Sequence, residues 1–147
     1  MKLVDFTGAK WQWFQENAES YGVNIGLHLH DPTDFDKEAE ISQMPSTATL
    51  DKTAGYNSHE LSLTTDYCFY YGYSTGTGLS EGPTHLYGID DFQASAVFKT
   101  WVIDSIYLNY GCQTGDAVFD DVMLFLLEIN GQDIPLRPSL EQMALSK

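Results

Sequence analysis

"VNIGLHLH", residues 23–30, alternates between aliphatic and other residues along its whole length. The positions between the aliphatic ones include His28 and His30. Because successive side chains of a β-strand point to opposite faces, the pattern predicts a half-buried strand with both histidines facing away from the aliphatic side. The Asp31-Pro32 step ends this strand, since proline has no N–H to donate to a sheet.

The strongest alternation elsewhere lies in "ELSLTTDYCFYYGY", residues 60–73, and predicts a strand from Leu61 to Tyr71. "SAVFKTWVIDSIYLNYG", residues 95–111, has strand composition interrupted at Asp104-Ser105. A bulge or a tight turn fits this interruption, so one bent strand and two separate strands both remain open.

The segment "DDVMLFLLEINGQDIPL", residues 120–136, contains Asn130-Gly131, the dipeptide typical of a two-residue hairpin turn. Apolar residues from 118 to 129 also fit the spacing of a helix. We favour a buried strand from Val122 to Ile129 that turns into residues 133–136.

The first stretch with helical spacing is "TGAKWQWFQENAESYG", residues 7–22. Trp11, Phe14, Ala18 and Tyr21 would share one face of an amphipathic helix, and Gly22 would end it. With about five to seven strands in addition, the sequence predicts an α+β domain. Its sheet would be mostly antiparallel and could curl toward a barrel or a sandwich.

The 147 residues fit a single domain, residues 1–147. The acidic segment 31–56 carries Pro32 and Pro45, which predicts a mobile loop with at most a short strand near Ile41 or Leu50. The tail, residues 138–147, is expected to fray or to form a short helix.

The charge of the chain limits its partners. Seven basic residues against 21 acidic ones give a net charge of −14, which opposes direct binding to nucleic acid or to an anionic membrane. No apolar leader or membrane-spanning stretch is evident, and Cys68 and Cys112 form no disulfide framework. We therefore expect a soluble cytoplasmic protein with a basic protein partner.

Clustered acidic residues are the first candidate binding group. A small acidic domain can occupy the basic groove of a nuclease, a toxin or a DNA-binding protein, because its carboxylates mimic phosphates. The sequence therefore favours a non-enzymatic inhibitor, immunity-type protein or nucleic-acid mimic, and exposed strand edges would also allow a homo-oligomer. The predicted binding residues are Asp31, Asp34, Asp36, Glu38, Glu40, Asp90, Asp91, Asp120 and Asp121.

Aromatic residues form a second candidate group. Tyrosine and tryptophan rings provide contact area in protein interfaces and in sugar-binding sites. A carbohydrate or small-molecule binding module is therefore an alternative function. Its platform would consist of Tyr70, Tyr71, Tyr73 and Trp101.

Gly22 is followed after five residues by His28, Leu29 and His30, and this spacing resembles the opening of the first cupin motif. Cupins are small β-barrels that commonly bind iron, manganese, nickel or zinc through such histidines. The resemblance implies a metal-dependent enzyme as a further alternative, with a divalent transition metal held by His28, His30 and His85. The preferred function needs no cofactor.

The chain departs from the cupin pattern at several points, including a missing glycine after the first motif and a predicted helix where the family has strands before it. The glutamate of the first motif would fall near Asp34 or Phe35, and the residues around His85 lack the proline-x-glycine of the second motif. No nucleophile elbow, phosphate-binding loop or His-Glu-x-x-His helix occurs. A third metal ligand would have to come from Asp31, Asp34, Asp36, Glu38, His59 or His85.

Overall fold

The computed structural model describes residues 1–110 and 122–136. These residues form eight strands, one short helix and two 3-10 turns, at Leu3–Asp5 and Phe98–Thr100. The strands and the helix are β1 (Ala9–Gln15), β2 (Asn24–Asp31), β3 (Asp34–Gln43), β4 (Gly55–Glu60), β5 (Cys68–Gly72), α1 (Ile89–Ala94), β6 (Val102–Asn109), β7 (Val122–Ile129) and β8 (Gln132–Asp133).

The strands form two four-stranded antiparallel sheets. The order β5-β3-β2-β6 defines the histidine sheet, and the order β4-β1-β7-β8 defines the tryptophan sheet. Both sheets contribute side chains to one hydrophobic core, which includes Trp11 and Trp13 from β1 and Leu27, Leu29 and Ile41 from β2 and β3. Burial of each such side chain contributes about 1.5–3 kcal/mol of stability.

The prediction of an α+β fold is wrong, because residues 7–22 contain β1 and no helix. Ala9, Trp11, Trp13 and Gln15 are buried while the residues between them are partly exposed, which is the two-residue period of a strand. The large aromatic rings suit a pleated, half-buried surface, and pairing with β4 and β7 on both sides fixes the extended backbone. The fold is therefore mostly β.

The segment 31–56, predicted as a loop with at most a short strand near Ile41 or Leu50, contains the 10-residue strand β3 around Ile41. Ala39, Ile41 and Gln43 are buried and alternate with exposed or half-exposed residues, so β3 has one core face and one outer face. Charged residues on the outer face had hidden this alternation in the sequence. The predicted strand from Leu61 to Tyr71 is correct only near its end, since the sheet pairing begins at Cys68.

One local prediction is confirmed in part, and one open alternative is decided. Residues 122–129 form the predicted strand, β7, but most of its residues are partly or largely exposed, and the return strand β8 covers only Gln132–Asp133. Asn130 and Gly131 both have positive φ, 52° and 77°, as the predicted two-residue hairpin turn requires. Residues 102–109 form one strand, and its pairing with β2 skips Asp104, so the interruption in the sequence is a β-bulge.

Several predictions lie outside the described residues. These are the possible helical pattern from residue 118 to 121, the thiol of Cys112, the acidic residues Asp120 and Asp121, and the tail at 138–147.

A histidine-carboxylate cluster on the outer face of the histidine sheet

His28 and His30 project from the outer face of β2, as predicted, while Leu27 and Leu29 point into the core. The cross-strand neighbours of His28 and His30 on β3 are Glu40 and Glu38. The pairing of strands thus places two imidazoles and two carboxylates on one surface. Such cross-strand neighbours have Cβ atoms about 4.5–5.5 Å apart, which is close enough for direct interaction.

Asp104 joins the two histidines. Its Oδ1 accepts a hydrogen bond from Nδ1 of His28 at 2.7 Å, and its Oδ2 accepts one from Nδ1 of His30 at 2.9 Å. The bulge in β6 makes this contact possible, because the extra residue directs its side chain toward the outer face of β2. Partial burial raises the pKa of Asp104, but the hydrogen bonds from His30 and His28 outweigh it, so the pKa lies below 3.8.

Tyr107 orients the next carboxylate of the cluster. A Cβ atom on Gly26 would lie 2.1 Å from Cζ of Tyr107, so the glycine leaves space for the ring to lie across β2. The hydroxyl of Tyr107 then donates a hydrogen bond to Oε1 of Glu40. Burial and this bond to Glu40 raise the pKa of Tyr107 to about 12, which keeps the phenol protonated as a donor at neutral pH.

Two exposed aromatic rings flank the cluster. Phe35 stacks on His30 with 4.6 Å between ring centroids, yet 73% of Phe35 is exposed. Tyr71 on β5 lies opposite Glu40 and is 55% exposed. The outer face of the histidine sheet therefore combines charged groups with apolar surface.

The acidic residues predicted at 31–40 all lie on the hairpin formed by β2 and β3. Asp31 accepts hydrogen bonds from the backbone N–H and the hydroxyl of Thr33, which stabilise the turn and lower the pKa of Asp31. Asp34 accepts the N–H of Asp36 and pairs with Lys37 at 3.9 Å. We call this unit the acidic hairpin, and it carries Asp31, Asp34, Asp36, Glu38 and Glu40.

Asp90 and Asp91 do not join the acidic hairpin. They are exposed in the first turn of α1, where the carboxylate of Asp91 accepts the N–H of Gly88. Asp91 therefore caps the helix.

The four predicted platform residues do not share one surface. Tyr70 is fully buried and Trp101 is 2% exposed, so both rings belong to the core. Tyr73 packs against Trp101 and lies beneath the ammonium group of Lys37. Of the four, Tyr71 alone presents most of its ring to solvent, and this arrangement disfavours a sugar-binding platform.

The metal ligands implied by the cupin resemblance are only partly brought together. His85 lies in a loop at the outer edge of β5, and β5 and β3 separate that loop from β2. Within residues 1–110 and 122–136, no group of three or more histidine, cysteine or acidic side chains is arranged to hold a metal ion. The described strands also form two sheets and not one closed barrel.

A second histidine-aspartate pair lies inside the molecule. Nε2 of His59 lies 2.7 Å from Oδ2 of Asp66, which also accepts the N–H of Ser62, and Thr49 donates to the other carboxylate oxygen. His59 points from β4 toward the core and packs against Trp11. His59 was predicted only as a possible metal ligand, and its pairing with Asp66 was not predicted, because Asp66 lies in the turn that follows β4.

Comparison of the chain with protein-family models, with curated proteins and with solved structures finds no match. None of the helices in the described part of the chain combines the length and the hydrophobicity needed to cross a membrane.

Proposed function

We propose that the chain is an acidic protein-binding domain that presents the acidic hairpin, together with Asp104, to a basic protein partner. One observation carries the proposal. The hairpin and the adjacent bulge gather six carboxylates on neighbouring strands, and among the described residues Lys37 is their only lysine or arginine ion-pair partner. The remaining negative charge is available to a partner from outside.

The charge of the whole chain supports this proposal. A net charge of −14 on 147 residues attracts cationic surfaces and can raise association rates by about 10- to 1,000-fold at low salt. Charge complementarity of this kind gives speed and specificity more than affinity. Exposed aromatic residues often supply the affinity of an interface, and Phe35 and Tyr71 are in the right place to do so.

An inhibitor, an immunity-type protein and a nucleic-acid mimic would all use this surface in the same way. Each would place carboxylates where its partner otherwise binds phosphates, and would exclude nucleic acid from that groove. A cytoplasmic location is part of the same proposal, because the sequence has two cysteines and no disulfide framework. Self-association also stays a prediction.

The proposal is tested with a partner captured on the immobilised chain, identified and then purified. Association rates are measured between about 50 and 200 mM salt, the range in which charge contacts are strongly screened. The variant with Glu38→Gln, Glu40→Gln and Asp104→Asn should lose about tenfold in association rate at low salt and show a weaker salt dependence.

The matched control carries Glu16→Gln, Glu60→Gln and Asp51→Asn, which remove the same charges from exposed positions outside the predicted binding residues. The association rate of the control variant should fall much less. Equal losses in the two variants, or no loss in either, would refute the assignment of binding to this face.

A further inference from the structure

A small cavity opens on the outer face of the histidine sheet, between β3 and β5. Its volume is about 170 Å³, and its lining residues are His28, Glu38, Ala39, Glu40, Tyr71 and Gly72. Glu38 and Glu40 are exposed on β3, Tyr71 is exposed on β5, His28 is partly exposed on β2, and Ala39 between the two glutamates is buried. The cavity therefore combines two carboxylates with one exposed aromatic ring.

Gly72 allows β5 to lie close to β3 beside the cavity. Its φ is +129°, and a Cβ atom there would lie 2.5 Å from the carbonyl oxygen of Glu38 and 2.7 Å from Cα of Ala39. Any other residue would push β5 away from β3 at this point. The ring of Tyr71, opposite Glu40, would move with it.

The size of the cavity limits its occupant. Sites for drug-sized molecules usually enclose about 300–1,000 Å³, so a cavity of about 170 Å³ suits the end of a single side chain better.

The two carboxylates define the charge of that occupant. Among the described residues, neither Glu38 nor Glu40 pairs with a lysine or an arginine. Glu38 lies 3.5 Å from Nε2 of His28, which is longer than a good hydrogen bond, and Glu40 accepts the hydroxyl of Tyr107 through one oxygen. Acceptor capacity therefore remains on both.

We propose that this cavity binds an arginine side chain of the basic partner. A guanidinium group is planar, carries five N–H donors and can bridge two carboxylates while stacking on an aromatic face. Lysine has a compact charge that cannot make both contacts in this way. The inference rests on the proposed function and names the group that the acidic face recognises.

The test is an NMR titration of the full chain with a blocked pentapeptide of glycines around one central arginine, and with its lysine counterpart. The arginine peptide should shift the signals of residues 38–40 and 71–72 and bind at least about threefold more tightly than the lysine peptide. Equal binding of the two peptides, or shifts spread over all acidic positions, would overturn the inference.

Variants separate the contributions of ring and charge. Tyr71→Ala should lower the affinity for the arginine peptide about two- to fivefold, which is the value of a cation-π contact at an exposed site. Tyr71→Phe keeps an aromatic ring and should keep this affinity. Glu40→Gln should weaken it as well, and Glu60→Gln, the matched change on the tryptophan sheet, should not. Loss of affinity in Tyr71→Phe equal to that in Tyr71→Ala would contradict stacking.

The peptide titration and the partner assay can fail independently. If partner binding depends on salt and on the carboxylates as expected, but the chain binds the arginine and lysine peptides equally, the cavity assignment is wrong. The proposal that the acidic hairpin binds a basic partner would remain. If the arginine peptide binds in the cavity but the charge-removing variants leave partner association unchanged, the proposed function is wrong. The cavity would then bind arginine without contacting the basic partner.

Discussion

Two histidine-aspartate contacts in this molecule have the same length and opposite surroundings. His59 and Asp66 are 2.7 Å apart with side chains 6% and 1% exposed, whereas His28 and Asp104 are 2.7 Å apart with side chains 31% and 35% exposed. The buried pair lies at the core beside Trp11, and the exposed pair lies on the outer face of the histidine sheet. Distance alone therefore does not say what such a pair does.

Their neighbours distinguish the two pairs. Asp66 accepts bonds from His59, from Thr49 and from the N–H of Ser62, and no buried side-chain polar atom in the described residues lacks a partner. A buried charge that loses its partners costs several kcal/mol, while exposed ion pairs contribute about 0–1 kcal/mol. The buried pair therefore stabilises the fold, and the exposed pair is available for the recognition role proposed above.

The largest expected effect comes from Asp66→Ala. It removes the acceptor of three hydrogen bonds and leaves the buried imidazole of His59 without its carboxylate partner. We expect the free energy of unfolding to fall by about 3–5 kcal/mol, measured by urea denaturation at neutral pH. A loss below about 1 kcal/mol would mean that water or another group replaces the carboxylate at little cost.

The second expected effect is a pH dependence of the same pair. Burial raises the pKa of Asp66, but the bonds from His59, Thr49 and Ser62 lower it more, to below 3.8 in the folded state. A carboxyl with a lowered pKa stabilises the fold above its unfolded pKa, and this contribution disappears as the pH falls through the folded value. The stability gap between the wild type and Asp66→Asn should therefore be largest near neutral pH and should narrow below pH 4. A constant gap between pH 7 and pH 3 would contradict this linkage.

The smallest expected effect on stability comes from Asp104→Ala. Its carboxylate is 35% exposed and its histidine partners can turn to water, so the free energy of unfolding should fall by less than about 1 kcal/mol. Urea denaturation of the Asp104→Ala and Asp66→Ala variants under the same conditions compares the two losses directly. If Asp104→Ala were as costly as Asp66→Ala, the division between a stabilising pair and a recognition pair would be wrong.

Local signals in the sequence predicted the parts of the fold that depend on neighbouring residues. The alternation at residues 23–30 and the Asn130-Gly131 turn are properties of a few adjacent positions, and both are present in the structure. The prediction for the region around β1 was wrong because its apolar residues fit two periods. A helical period includes Trp11, Phe14, Ala18 and Tyr21, and a strand period includes Trp11 and Trp13. Pairing with β4 and β7 decides between the two, and the sequence does not display that pairing.

The candidate site was predictable in part for the same reason. The shared face of His28 and His30 follows from their spacing, and the acidic residues of the hairpin lie close together in the chain. Asp104 was missed as a site residue because its contact with both histidines depends on the register of β6 against β2, about 75 residues away in sequence. Its position in a strand-like stretch was the available signal, and it indicated a bulge or a turn without revealing the partner.

The bulge in β6 also makes the histidine-carboxylate cluster depend on a single inserted residue. A regular antiparallel ladder has no place for Asp104, since His28 pairs with Ser105 and Leu29 pairs with Ile103. The bulge therefore adds a carboxylate beside two histidines while the strand continues its pairing on both sides. Deletion of residue 104 would yield a continuous ladder on which the histidines have lost their shared acceptor.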